Sequence, residues 1–178
     1  MRGWLILAVA IALSAAGCGT PTHAARPSAC TLPGMRVRLD LRAAGVAAGT
    51  AFLPLDFTNL SGSTCDLAGF PVVTAVTGAA RRHVGAAATT DRGLVAKAVV
   101  LGGSETAHIW VRIADVLNIP ASRCRPVTAA GFLVSLPGQA GSVFVPHPVM
   151  TCAKPVRGMG VLTVEPFRPG LAERGTAH

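Results

Sequence analysis

Met35, Val37, Leu39 and Leu41 alternate with Arg36, Arg38, Asp40 and Arg42. A period of two sends one set to each face of an extended chain, the mark of a half-buried strand. The same alternation recurs. Ala51 to Asn59 carries Leu53, Leu55 and Phe57 on one face, and its Pro54 predicts an edge position or a bulge. Glu105 to Ile113 is the clearest run: Ala107, Ile109, Val111 and Ile113 against His108, Trp110 and Arg112. Shorter strands are predicted at Phe70 to Val76, Arg81 to Ala87, Ala96 to Leu101, Ala130 to Leu136, Val143 to Val145 and Gly160 to Phe167. Ser61-Gly62-Ser63, Gly102-Gly103-Ser104 and Pro137-Gly138-Gln139 read as turns, and Asp115 to Ile119 as one helical turn. No helix beyond two turns and no repeat at a solenoid period is evident.

Eight or nine short strands separated by Gly and Pro predict an antiparallel sandwich or barrel. Composition agrees. With 20 Gly and 13 Pro among 178 residues, a helical bundle is disfavoured. A 51% apolar and 13% charged chain is not globally disordered. One domain is expected over residues 30–167, long enough for a real core, followed by a loose tail at residues 168–178.

The first 17 residues lie outside this pattern. Arg2 precedes an uncharged apolar run, Trp4 to Leu13, and then the small residues Ser14, Ala15, Ala16 and Gly17. The run is too short to span a bilayer and reads as an export signal. Small residues directly before Cys18 resemble a bacterial lipobox, although Ala15 stands where Leu is usual. Cys18 is therefore the expected lipidation site, and residues 18–29 the tether. Two or three acyl chains would hold the protein at the outer face of a membrane. Without lipidation the protein would be secreted.

Export changes the reading of the five cysteines, because an oxidising compartment favours pairing. Setting Cys18 aside leaves Cys30, Cys65, Cys124 and Cys152, with three possible connectivities. The sequential one is preferred, Cys30–Cys65 and Cys124–Cys152. No C-x-x-C pair points to zinc, and no cofactor is expected.

The run Pro54-Leu55-x-Phe57-Thr58-Asn59-x-Ser61-Gly62-x-Thr64-Cys65 is similar to the hallmark of a domain-of-unknown-function family of exported actinobacterial proteins, often found behind a lipobox. Leu101-Gly102-Gly103-Ser104, Cys124-x-Pro126, Leu136-Pro137-Gly138-Gln139, Val145-Pro146, Cys152 and the strand ending at Pro166 extend the resemblance over about residues 30–167. Gly102 stands where the family commonly has Pro. The resemblance implies an immunoglobulin-like β-sandwich with disulfides outside the cytosol. It transfers no catalytic residue.

Candidate chemistry is sparse. His147, Met150 and Cys152 lie within six residues, and with His83 or His108 they would suit copper. The simpler role for Cys152 is a disulfide. Gly-x-Ser-x-Gly and Ser-x-x-Lys are absent and the eight acids are unclustered, so an extracytoplasmic hydrolase stands as the alternative reading only with a site that no sequence motif marks. Gly102-Gly103-Ser104 leads into a strand, not into a phosphate-binding helix. The formal net charge is +8, but the basic residues are scattered and export argues against nucleic acid. An anionic envelope polymer, an envelope protein or a lipid surface is the more natural partner. The candidate binding surface is His108, Trp110 and Arg112 on one face of the clearest strand, where an indole beside a guanidinium can anchor a ligand. The expected function is that of a non-catalytic, membrane-anchored envelope interaction module.

Overall fold

Extended segments account for nearly all the regular structure in the computed structural model, which describes residues 26–175. In chain order they are β1 (Ser28–Ala29), β2 (Met35–Leu39), β3 (Gly45–Ala47), β4 (Thr50–Asn59), β5 (Cys65–Leu67), β6 (Val72–Thr77), β7 (Arg82–His83), β8 (Thr89–Thr90), β9 (Val99–Leu101), β10 (Thr106–Ala114), β11 (Pro126–Ser135), β12 (Val143–Cys152), β13 (Leu162–Val164) and β14 (Arg168–Pro169). The expected signal segment, Cys18 and most of the tether lie outside the described residues.

Three sheets form. The largest runs β2-β4-β10-β13-β8, with β3 also on β4 and β14 also on β10. The second runs β12-β11-β6-β7 and the smallest β1-β5-β9. Alternation decides the layering. Leu55 and Phe57 of β4, Ile109 and Val111 of β10, Val73 and Ala75 of β6, and Phe132 and Val134 of β11 all belong to one buried cluster. Two sheets thus bury their inner faces against each other, and the fold is an all-β sandwich with two disulfides. The pairings are mostly antiparallel, but β1–β5 and β13–β8 are parallel.

The prolines sit where a missing N–H costs no ladder bond. β2 pairs with residues 55–59 of β4 and β3 with residues 50–52, so Pro54 falls between the two partners. Its carbonyl accepts from Asp40 N–H at 3.1 Å across that gap, an edge position within an otherwise inner strand. β12 is a true edge and continues through Pro146 and Pro148, well beyond the expected Val143 to Val145. Opposite Pro146 the ladder shifts register between Ala129 and Gly131. A Cβ on Gly131 would collide with the Val145 carbonyl, so the residue there must be glycine.

The predicted helical turn is a 3-10 turn, Val116–Asn118, capped by the Asp115 carboxylate accepting from Leu117 N–H at 3.0 Å. One four-residue helix, α1 (Ala121–Cys124), follows Pro120 and ends on Arg125 in the left-handed region. Its Cys124 is bonded to Cys152, the last residue of β12, and Cys30 is bonded to Cys65 in β5. The preferred connectivity is the observed one. The two bridges indicate folding in an oxidising, extracytoplasmic compartment. No helix among the described residues is long and apolar enough to cross a membrane.

The tail differs from expectation. Arg168–Pro169 pairs with His108 and Ala107, Gly170 N–H donates to Thr106 O at 2.8 Å, and Ala172 is buried. Residues 168–175 are therefore a strap across the large sheet, not a loose end. What fixes them is the apolar side chain of Ala172 and the backbone bonds at Gly170, features too local to show as a periodic pattern.

Candidate functional site

Strand β10 sends Ala107, Ile109, Val111 and Ile113 into the core and Thr106, His108, Trp110 and Arg112 to the opposite face. That second face is not open. The segment containing Ala43 covers it from one side and the strap from the other, and Trp110 packs against Ala43, Ala172 and half-buried Phe52. Trp110 is 1% exposed and His108 6%. The expected binding surface is thus corrected: His108 and Trp110 lie under a roof. Half-buried Arg112 is held by Asp91 at 3.0 Å. An opening of about 400 Å³ reaches Trp110, lined by Val46, Phe52 and Arg174.

Asp56 lies directly across the ladder from His108, a neighbour that strand periodicity alone did not reveal. The ring nitrogen Nδ1 of His108 donates to Gly170 O at 2.9 Å, since a carbonyl can only accept. Ala172 N–H donates to Asp56. The Trp110 and His108 rings meet edge to face at 6.4 Å, and Arg174 donates to Arg42 O at 2.8 Å. An acid and a base are thus brought together, but both grip the strap's backbone.

Burial pushes the Asp56 carboxyl above its ordinary value. Repulsion from Asp40 adds to the rise, while His108, the Ala172 N–H and Arg42 oppose it. A carboxyl with a raised folded-state pKa binds its proton more tightly when folded. Its ionisation therefore costs stability above that pKa, and the cost fades as pH falls towards the unfolded value. Asp56→Asn removes the charge and keeps an oxygen for Ala172. The variant is expected to melt at a higher temperature than the wild type at pH 7. The gain should vanish on titration into the ordinary carboxylate range, as followed by thermal unfolding across pH.

The copper grouping does not assemble. Cys152 is in a disulfide. His83 lies on β7 and His147 on β12, at opposite edges of one sheet, about 14 Å apart at three strand spacings. His108 is on the other sheet. Among the described residues no three His, Cys, Asp or Glu side chains are grouped to hold a metal.

Another opening, of about 520 Å³, lies between the loop leading into β9 and strand β14. Leu94, Val95 and Val100 line it beside Lys97 and Arg168. The sequence pattern predicts a strand over Ala96 to Leu101, but only Val99–Leu101 is extended, and residues 91–98 form an irregular loop. Ahead of that strand, the apolar pair Leu94-Val95 stands between Arg92 and Lys97.

A disulfide-stapled β-sandwich with open apolar and cationic grooves is the class this geometry defines. A family model described as a domain of unknown function (DUF4232) matches residues 30–168, and the chain belongs to that family. No curated protein matches the chain.

Proposed function

We propose that this chain is a non-catalytic interaction module of the cell envelope, held at the outer face of a membrane through a lipidated Cys18. The observation that carries the reading is the groove beside β9. Val95 and Val100 are 82% and 53% exposed on a disulfide-braced scaffold. Apolar side chains displayed this openly favour docking over a closed reaction chamber. The acid–base pair Asp56 and His108 serves the strap, which leaves the grooves as contact surfaces.

Two measurements test it. Cys18→Ala should move the protein from the detergent phase to the aqueous phase, with loss of the acyl mass; continued detergent partitioning refutes the anchor. A photo-crosslinker at Val100 should capture a defined envelope component, whereas one at Leu117, which is 70% exposed elsewhere, should not. Equal capture at both positions refutes the docking surface.

A further inference from the structure

We propose that the groove between the β9 loop and β14 is a second membrane contact, which seats the domain on anionic phospholipid. This deepens the function proposed above and rests on it for the presence of a membrane near Cys18.

The groove is continuous. Val100 and Pro169 line both the 520 Å³ opening and a neighbouring one of about 380 Å³ that ends at Leu171. Val95, Val100 and Leu171 are each more than half exposed along this strip. Its charge complements an anionic surface. Lys97 is in the lining, and Arg92 is exposed on the same loop. Two nearby acids are paired with arginines, Asp91 with Arg112 at 3.0 Å and Glu165 with Arg168 at 3.4 Å, while exposed Glu105, which accepts from Gly102 N–H at 2.8 Å, keeps its charge at the far end of the strip, away from Lys97. Apolar side chains flanked by cations are the chemistry of a shallow interfacial contact, in which the apolar groups enter the acyl boundary and the cations meet phosphate.

Position selects the lipid over other anions. Strand β9 shares a three-stranded sheet with β1, where the described chain begins. Ser28 pairs with Cys65 and Cys65 with Leu101, so the chain enters about 10 Å from the groove. An ion pair between Arg26 and Asp66 at 2.7 Å fixes that entry. From Cys18 to Arg26 the chain reaches at most ~28 Å. An anchored Cys18 therefore holds this end of the sandwich near the headgroups. The second contact becomes intramolecular, and even a weak one is populated.

The full chain carries its own readout. The indole introduced by Val95→Trp has one companion within the described residues, Trp110, which is 1% exposed and insensitive to lipid. Intact mass first establishes acylation. The acylated variant, bound to vesicles of phosphatidylglycerol and brominated phosphatidylcholine, should then show quenching of the new indole. The quenching should be lost in vesicles of brominated phosphatidylcholine alone. For the unacylated chain beginning at residue 18 with Cys18→Ser, partition onto anionic vesicles should fall about fivefold with Lys97→Ala. It should fall further with Val95→Asp. An acylated, vesicle-bound chain whose indole stays unquenched overturns the groove contact and leaves the anchor standing. Equal quenching in neutral vesicles overturns the anionic lipid as partner. Absence of acyl mass from the chain that keeps Cys18 refutes the anchor, and Lys97-dependent partition of the Cys18→Ser chain still supports the groove.

Discussion

With both disulfides reduced, the domain is expected to be largely unfolded at 37 °C. The bridges span sequence separations of 35 and 28 residues. In the chain-entropy account each contributes about 3–4 kcal/mol. Together they match much of the roughly 5–15 kcal/mol net stability of a typical domain. Their placement makes the loss local as well as global. Cys30 follows a two-residue parallel strand, too short to hold its register unaided, and Gln139 donates to the Cys30 carbonyl. Cys124 ends a four-residue helix, far below the length at which a helix stands alone. Around it Val116, Ile119, Cys152 and Val156 form a small cluster of their own. Denaturant unfolding of the pairs Cys30→Ala/Cys65→Ala and Cys124→Ala/Cys152→Ala should each show a loss of about 2–5 kcal/mol. An unchanged midpoint in dithiothreitol would remove the stabilising role altogether.

Strands with one face in the core were legible because their pattern is physical. β4 and β10 bury every second residue in the same cluster, and the expected ends differ from the observed ones by a residue. Pro54 was legible in the same way, as its edge-like position is forced by a missing donor. Elements lacking an alternating apolar set were not. β12 runs on through exposed Pro146, Pro148 and Met150, and the residues between them, His147 and Val149, are only half-buried, so this stretch of an edge strand lacks a strong apolar alternation. The parallel pairings of β1 and β8 involve two residues each and leave no pattern to read. Spacing along the chain favours the sequential disulfide connectivity without forcing it, since the second bridge depends on α1 bringing Cys124 to the end of β12.

The candidate site shows where alternation runs out. His108, Trp110 and Arg112 do share a face, as the period requires. Periodicity assigns residues to two faces and cannot say what covers the second one. Here Ala43 and Ala172, small residues at distant points in the sequence, close over Trp110. The groove beside β9 failed to register for the opposite reason. Its loop is irregular, so exposed Val95 had no partner in any pattern.

Trp110→Ala tests that roof and should be among the most destabilising single substitutions in the chain, at about 3–5 kcal/mol. The indole is the largest side chain buried on the outer face of the sheet, and it belongs to a cluster separate from the sandwich core. Its loss should leave the Phe57 and Phe132 core in place and loosen the strap, since Ala43 and Phe52 are then the apolar members of that cluster left to Ala172. Two signals would separate this from general unfolding. Exchange of the Gly170 amide, bonded to Thr106 O at 2.8 Å, should become fast at denaturant concentrations where core amides stay protected. Removing residues 170–178 from the wild-type chain should shift Trp110 emission to the red while the β-sheet circular dichroism is kept. Trp110→Phe should cost less than the alanine change, because it refills part of the space between Ala43 and Ala172. If Trp110→Ala costs under about 0.5 kcal/mol, the range of surface substitutions, the strap does not seal this face in solution. The face would then be open to ligand, as its alternation first implied.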